Sequence, residues 1–164
     1  VNEYDNRYHE LRSLAVIEHA FGDYIPLKIA SFNTWDGTIH RKLKDFDEKV
    51  FNNSSYNFLV ECGCEGANDD AFSIAVATQE LLARTETNKL LFVLSDGLPC
   101  SNEDKLTEEV KKARAMGIKL VPIYFGSEYN IDRYKELYIK DYIIAEPKDI
   151  GIELERVLTS FCFS

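Results

Sequence analysis

Hydrophobic residues along this chain follow two spacings in turn, and these spacings predict helices and strands. Apolar residues three or four positions apart predict helices at residues 6–22, 71–84, 101–116, 131–137 and 148–161, with one short, loosely patterned helix within 38–55. Alternating or continuous apolar runs predict strands at residues 26–32, 90–94, 118–125 and 141–145, with a short edge segment at 56–60. This alternation indicates an α/β fold, a Rossmann-like, open and mostly parallel sheet with helices on both faces.

The predicted strand at 90–94 is the centre of this pattern. Its five apolar residues are uninterrupted and are followed at once by Ser95-Asp96-Gly97. A continuous apolar run bounded by a turn predicts a strand buried on both faces. Open α/β sheets bind ligands at the carboxyl ends of their strands, so Ser95 and Asp96 are candidate site residues. The alternative is an aspartate that only caps a turn after a core strand.

Two features of the predicted sheet are less regular. Pro122 lies inside the strand at 118–125 and favours an edge strand or a bulge, because proline cannot donate to the ladder of hydrogen bonds. The chain also begins with a helix, whereas a sheet of this kind normally begins with its central strand. We therefore expect residues 1–164 to form a single domain that lacks its first strand and belongs to a longer chain.

Composition and charge narrow the class of protein. The 164 residues are 45% hydrophobic and 29% charged, which is typical of one globular domain. The net charge of −9 argues against a nucleic-acid partner and suits a basic protein partner or a cation. No apolar run reaches the about 18 residues of a membrane span. The spacing of the cysteines is not that of a zinc site and predicts reduced thiols in a cytoplasmic protein, at Cys62, Cys64, Cys100 and Cys162.

The common catalytic motifs are missing from the sequence, which has no GxxxxGK[ST] or GxGxxG phosphate-binding loop and no GxSxG nucleophile elbow. What remains is a set of oxygen-bearing side chains in two loops, namely Asn68, Asp69, Asp70, Ser95 and Asp96. Such oxygens are the ligands that Mg²⁺ and Mn²⁺ prefer, and they predict a metal site that an acidic side chain of a partner would complete. The alternative for the first loop is structural, with Asn68 as the helix N-cap and both aspartates at the positive end of the helix dipole.

The sequence KLLFVLSDGLP, followed by a helix and then GIKLVPIYFG, resembles the later half of a von Willebrand factor A (VWA) domain. In that family the strand that ends in Ser/Thr-Asp-Gly supplies the last aspartate of the metal-ion-dependent adhesion site (MIDAS). The stretch GANDDAFSIAVATQELLARTETNKLLFVLSDGLP is most similar to the VWA domain at the C-terminus of the cobaltochelatase subunit CobT and related bacterial proteins, as is the ending NIDRYKELYIKDYIIAEPKDIGIELERVL. The resemblance covers about residues 7–161.

This resemblance implies a VWA fold and a non-enzymatic, metal-dependent module that binds a protein partner, such as an AAA+ ATPase of the chelatase or MoxR kind. It assigns Asp96, Ser95 and Asn68 to the metal. The Asp-x-Ser-x-Ser motif that carries the core metal ligands of the family is absent, and Asn68 stands nearest to the loop threonine of the family. Two alternatives remain, a metal-free VWA-like scaffold and a small enzyme that uses Asp69, Asp70 and Asp96 as magnesium ligands for phosphoryl transfer.

Overall fold

The computed structural model of the chain describes residues 6–34, 39–48, 68–100 and 102–164. The helices are α1 Asn6–Phe21, α2 Asp70–Leu82, α3 Glu103–Ala115, α4 Ile131–Tyr138 and α5 Ile150–Phe163. The strands are β1 Ile29–Asn33, β2 Ile39–Lys44, β3 Lys89–Ser95, β4 Ile118–Tyr124 and β5 Ile143–Ile144. Single turns of 3₁₀ helix lie at Glu128–Asn130 and Pro147–Asp149. The predicted edge segment at 56–60 and the cysteines at 62 and 64 lie outside the described residues.

The chain forms two compact units. The first contains α1, α5, the beginning of β1 and the end of β2, and the second contains α2, α3, α4, β3, β4 and β5. In the first unit α1 packs on α5, where Gly151 allows a close approach: a Cβ at that position would lie 3.3 Å from the Ser13 Oγ. Whether the whole chain behaves as a single domain stays a prediction.

The second unit is built on a three-stranded parallel sheet with β4 between β3 and β5. In the register of β3 and β4, Lys89 lies opposite Ile118 and Ser95 lies opposite Tyr124. Helices α2 and α3 pack on each other, and α3 also contacts β4 and α4. Apolar and aromatic side chains from these elements form one buried core, as hydrophobic burial requires, with Ala71, Ile74, Val93, Leu106, Val110, Ala113, Leu120, Tyr124, Tyr134, Leu137 and Tyr138.

The prediction that Pro122 marks an edge strand or a bulge was wrong. Pro122 pairs in register with Val93, and β4 has a neighbouring strand on each side. The Phe125 N–H donates to the Ser95 carbonyl on the β3 side, and backbone groups alternate along a strand, so the nitrogen of Pro122 faces the β5 side. Because β5 pairs only with Ile123 and Tyr124, no ladder hydrogen bond is lost there.

The short helix predicted within residues 38–55 was also wrong where the structure describes that segment. Residues Ile39–Lys44 form β2, which pairs with β1 in a two-stranded sheet. Pairing with another strand satisfies the backbone groups of a segment whose own helical pattern is weak. Lys44 is fully buried there, and its Nζ donates to the carbonyls of Leu27 at 2.8 Å and Asp45 at 3.2 Å.

Helix α4 ends in a strained turn. Ile139 has φ 70° and ψ −56°, and the Lys140 N–H donates to the Tyr138 carbonyl at 2.8 Å. This is the γ-turn conformation that is rare and strained for a residue with a side chain. The Arg114 guanidinium holds both ends of the turn, donating to the carbonyls of Tyr138 at 2.6 Å and Lys140 at 2.5 Å.

Candidate functional site at the carboxyl edge of the sheet

Strands β3 and β4 end side by side, and the loops that follow them touch. The Phe125 N–H donates to the Ser95 carbonyl at 3.1 Å. Immediately afterwards Gly126 lies against the backbone of Asp96, where a Cβ would overlap the Asp96 carbonyl oxygen and lie 2.6 Å from the Tyr124 hydroxyl. A glycine is therefore needed for this close approach. The two loops form one surface at the carboxyl edge of the sheet.

Asp96 projects from this edge, whereas Ser95 does not. Asp96 is exposed, and no hydrogen bond or ion pair joins its carboxylate to another residue of the described ranges. Ser95 is only 3% exposed, and its Oγ donates to the Gly97 carbonyl at 2.7 Å while accepting from the Gly97 N–H at 3.4 Å. The serine hydroxyl thus stabilises the turn that presents Asp96.

The loop before α2 reaches the same turn. The Cys100 N–H donates to the Asn68 carbonyl at 3.0 Å, and a Cβ at Gly97 would lie 3.9 Å from the Asn68 Nδ2. The structure therefore brings Asn68 beside the turn that carries Asp96. Of the five predicted site residues, Asn68 is partly exposed and Asp96 is exposed. The side chains of these two form no hydrogen bond or ion pair with another described residue.

Asp69, and not Asn68, is the N-cap of α2. The Asp69 Oδ1 accepts a hydrogen bond from the Phe72 N–H at 3.1 Å, and the Ser73 N–H donates to the Asp69 carbonyl. The predicted cap was wrong by one residue because the Asn68 backbone is held by the loop after β3 instead. Releasing the Asp69 carboxylate to another ligand would cost about 1 kcal/mol of helix stability.

Asp70 is fully buried at the first residue of α2. Its Oδ2 accepts a hydrogen bond from the Tyr138 hydroxyl at 2.7 Å, and its Oδ1 has no hydrogen-bond partner among the described residues. Burial disfavours the charged form and raises the pKa of Asp70 to about 6, although the Tyr138 hydrogen bond acts in the opposite direction. The rings of Tyr124, Tyr134 and Tyr138 pack in a row, with successive centroids 4.6 Å apart and the ring planes tilted by 38° and 40°.

Sequence reasoning missed the part that tyrosines play in this region. Tyr134 and Tyr138 are four positions apart and therefore share one face of α4, which marks both as core candidates. Nothing local pairs Tyr138 with a carboxylate 68 positions earlier. Burial raises the pKa values of both phenols well above the ordinary value of 10.0, so both carry their protons at neutral pH.

The donor set suits a weakly held, hydrated cation better than a closed metal site. Among the described residues, no group of three or more His, Cys, Asp or Glu side chains is arranged to hold a metal ion. Asp70 is buried, Asp69 caps α2, and the Ser95 hydroxyl is bound to backbone. Asp96 and Asn68 would supply one carboxylate and one amide oxygen, and Mg²⁺ commonly keeps several waters beside one or two carboxylates.

Comparison with known proteins assigns the fold. No protein-family model matches the sequence, and no curated protein matches it. The structure of the manganese-loaded TRAP protein of Plasmodium vivax matches with a TM-score of 0.71 and 15% identity, over 93% of this chain and 64% of that one. The SpRpn10 VWA domain matches with a TM-score of 0.62 and 9% identity, over 91% of this chain and 82% of that one.

A third match supports the same fold. The conserved hypothetical protein BatB of Bacteroides thetaiotaomicron gives a TM-score of 0.64 and 12% identity, over 96% of this chain and 87% of that one. The predicted α/β, VWA-like fold is confirmed by these neighbours. The chain spans about two thirds of the length of the TRAP chain that it matches.

Proposed function

We propose that this chain is a non-enzymatic protein-interaction module that contacts its partner at the carboxyl edge of β3 and β4, with Asp96 at the centre of the contact. One observation carries this proposal: an exposed carboxylate without a described partner directly follows β3, a half-buried strand of a VWA-like sheet. Ser95, Gly97 and Gly126 fix the backbone around that carboxylate. A backbone turn held in this way needs little further ordering when a partner binds.

The first form of this function depends on Mg²⁺ or Mn²⁺, as in a MIDAS-type site. Asp96 and Asn68 would hold the cation, with Ser95 adjacent, and the cation would attract an acidic side chain of the partner to its open position. The TRAP protein of Plasmodium vivax, which is similar in fold, is manganese-loaded in its crystal structure. This similarity supports Mn²⁺ as a candidate cation for the present chain, but it does not indicate which residues would bind it.

The second form is a metal-free contact, and a specific observation favours it. Three of the five predicted ligands already serve the fold, since Asp69 caps α2, Asp70 pairs with Tyr138, and Ser95 closes the turn before Gly97. Recruiting them would break hydrogen bonds that are worth about 1 kcal/mol each. The same burial of Asp70 counts against the phosphoryl-transfer alternative, which needs Asp69, Asp70 and Asp96 around one metal.

The proposed partner is an AAA+ ATPase of the chelatase or MoxR kind, as the resemblance to the CobT-like proteins suggests. The proposed location is the cytoplasm, within a longer chain of which residues 1–164 form one domain. Cys100 and Cys162, which are free and exposed, fit that location. Among the described residues no helix is long and apolar enough to cross a membrane.

Calorimetric titration with MgCl₂ and MnCl₂ tests the metal-dependent form. We expect the unsubstituted protein to bind at least one of these ions and Asp96→Asn to bind neither. Asp104→Asn is the matched control, because Asp104 is an exposed carboxylate in the first turn of α3. Equal binding by the two variants would place any bound ion elsewhere on this acidic chain.

Partner binding is tested separately with a purified AAA+ ATPase of the chelatase kind, in Mg²⁺ and in EDTA. Binding that is lost in EDTA and in Asp96→Asn supports the metal-dependent form. Binding that survives EDTA and is lost in Asp96→Asn supports the metal-free form. If Asp96→Asn leaves both metal and partner binding unchanged, the proposed contact point is wrong.

A further inference from the structure

The loop after β4 presents an aromatic ring beside the Asp96 turn. Tyr129 is 98% exposed, so its ring has almost no contact within the chain. The turn beneath it is well held, because the Ser127 Oγ accepts from the Tyr129 N–H, the Asn130 N–H donates to the Ser127 carbonyl, and so does the Tyr124 hydroxyl. A solvent-facing tyrosine on a hydrogen-bonded turn is a typical anchor of protein interfaces.

The segments that carry Tyr129 and Asp96 touch each other. Gly126 touches the Asp96 backbone, and Tyr129 follows it three positions later. Three residues span at most about 10 Å even when fully extended, and the 3₁₀ turn at Glu128–Asn130 shortens that distance. Asp96 and Tyr129, both exposed, therefore lie on neighbouring segments of the same sheet edge.

The charges of this patch are not neutralised within the described part of the chain. Neither Asp96 nor the exposed Glu128 has an ion-pair partner there. Arg133, the nearest arginine along the sequence, is instead bound to Glu103 and Glu136. The patch is thus acidic on a chain of net charge −9, and its electrostatic complement is a basic side chain.

We propose that the surface formed by Asp96, Glu128 and Tyr129 recognises an arginine side chain of the protein partner. A guanidinium can form two parallel hydrogen bonds with the Asp96 carboxylate while its flat face stacks on the Tyr129 ring. A lysine ammonium is a point charge that cannot make both contacts in one geometry. Glu128 adds attraction at longer range.

This inference rests on the interaction function proposed above and deepens its metal-free form by naming the chemistry of the partner. It differs from the metal-dependent form in a measurable way. A divalent cation on Asp96 would call for an acidic partner residue, whereas the free carboxylate calls for a basic one. Mg²⁺ and the guanidinium should then compete for Asp96.

The test is an NMR titration of the ¹⁵N-labelled protein with an acetylated and amidated Gly-Arg-Gly peptide, at physiological ionic strength to screen distant charges. We expect saturable shifts confined to residues 96–97 and 126–130. The Gly-citrulline-Gly peptide, which has the same shape without the charge, should not bind. The Gly-Lys-Gly peptide should bind about fivefold more weakly, because it loses the second hydrogen bond and the stacking.

Two variants and one control locate the contact. Asp96→Asn should lower the affinity for the arginine peptide about tenfold. Tyr129→Ala should lower it about two- to fivefold. Asp104→Asn should leave its affinity within about twofold, because exposed charges outside the contact are screened. Equal binding of the citrulline or lysine peptide, or an equal effect of Asp104→Asn, would overturn the proposal.

The failure of this inference can be distinguished from the failure of the proposed function. In one outcome the AAA+ ATPase binds, Asp96→Asn abolishes that binding, no arginine peptide binds, and Tyr129→Ala has no effect. The interaction function then stands and the arginine contact is wrong. If Asp96→Asn changes neither peptide nor partner binding, both are wrong.

Discussion

The buried carboxylate of Asp70 makes the stability of this protein depend on pH, and Asp70→Asn should remove that dependence. Asp70 has no exposed surface, and its single described hydrogen bond comes from the Tyr138 hydroxyl. An asparagine has nearly the same shape and carries no charge. Its Oδ1 can accept from Tyr138, and its amide group would occupy the position of the unpartnered carboxylate oxygen.

The size and sign of the effect follow from the pKa of Asp70. Burial raises that pKa from 3.8 to about 6 in the folded protein. The difference is about 2 pH units, and at 1.36 kcal/mol per unit the ionised side chain costs about 3 kcal/mol of folding stability. The folded state binds the Asp70 proton more tightly than the unfolded state does. Protonation of Asp70 therefore stabilises the folded protein fully below pH 3.8, and this stabilisation is lost as the pH rises through about 6.

Urea unfolding of both proteins between about pH 4 and pH 8 measures this contribution, because subtraction cancels the other titrating groups. We expect Asp70→Asn to be more stable than the unsubstituted protein by about 2–3 kcal/mol at pH 8. Towards pH 4 the difference should fall below about 1 kcal/mol, since Asp70 is then protonated in the folded state and partly protonated in the unfolded state. Parallel pH profiles, or a variant that is less stable at pH 8, would refute the reasoning.

Three further substitutions test the core and the turns around the candidate site. Tyr138→Phe should lower the free energy of unfolding by about 2 kcal/mol at pH 8 because the buried carboxylate loses its donor, whereas Tyr134→Phe removes a hydroxyl with no described partner and should be nearly neutral. Gly126→Ala should cost about 2 kcal/mol by steric overlap, whereas Gly97→Ala meets only an ordinary 3.9 Å contact. Ile139→Gly should raise stability by about 1 kcal/mol because relief of strain outweighs the entropy of glycine.

Thermal and urea unfolding check these three predictions. Equal losses from the two tyrosine substitutions would show that ring packing, and not the hydrogen bond, stabilises that part of the core. A tolerated Gly126→Ala would mean that the loop after β4 can move away from the β3 loop at little cost. For the strained turn, Ile139→Val keeps a branched Cβ and should bring no gain; a gain equal to that of glycine would argue against strain.

The central elements of the fold were predictable because their pattern is local. The strand predicted at 90–94 is observed as Lys89–Ser95, and the helix predicted at 71–84 as Asp70–Leu82. The apolar run marks β3 as a strand, but the prediction that this strand is buried on both faces was wrong for most of its residues: Val93 and Ser95 are buried, and the others are half-buried. A helix covered on one face must repeat its apolar residues every three or four positions. Gly117 likewise ends α3 with φ 85°, a conformation that favours glycine.

The pairing of β1 with β2 shows where local pattern fails. The segment at Ile39–Lys44 carries three basic residues and a weak helical pattern, yet it is a strand. Strand pairing is a tertiary contact, and it decides the conformation of segments whose intrinsic preference is small.

By itself the sequence determined the α/β architecture and the position of Asp96 at the carboxyl end of β3, because the apolar run marks where that strand ends. Only the tertiary structure decided which of the five oxygen-bearing residues remain free for a ligand. Asp70 is buried and accepts a hydrogen bond from Tyr138, which is distant in sequence, so it is not available to a ligand. Ser95 is not available either, because it is buried beside β4. Burial and hydrogen-bond partners depend on the packing of whole elements, and these set the chemistry of a side chain more strongly than its type.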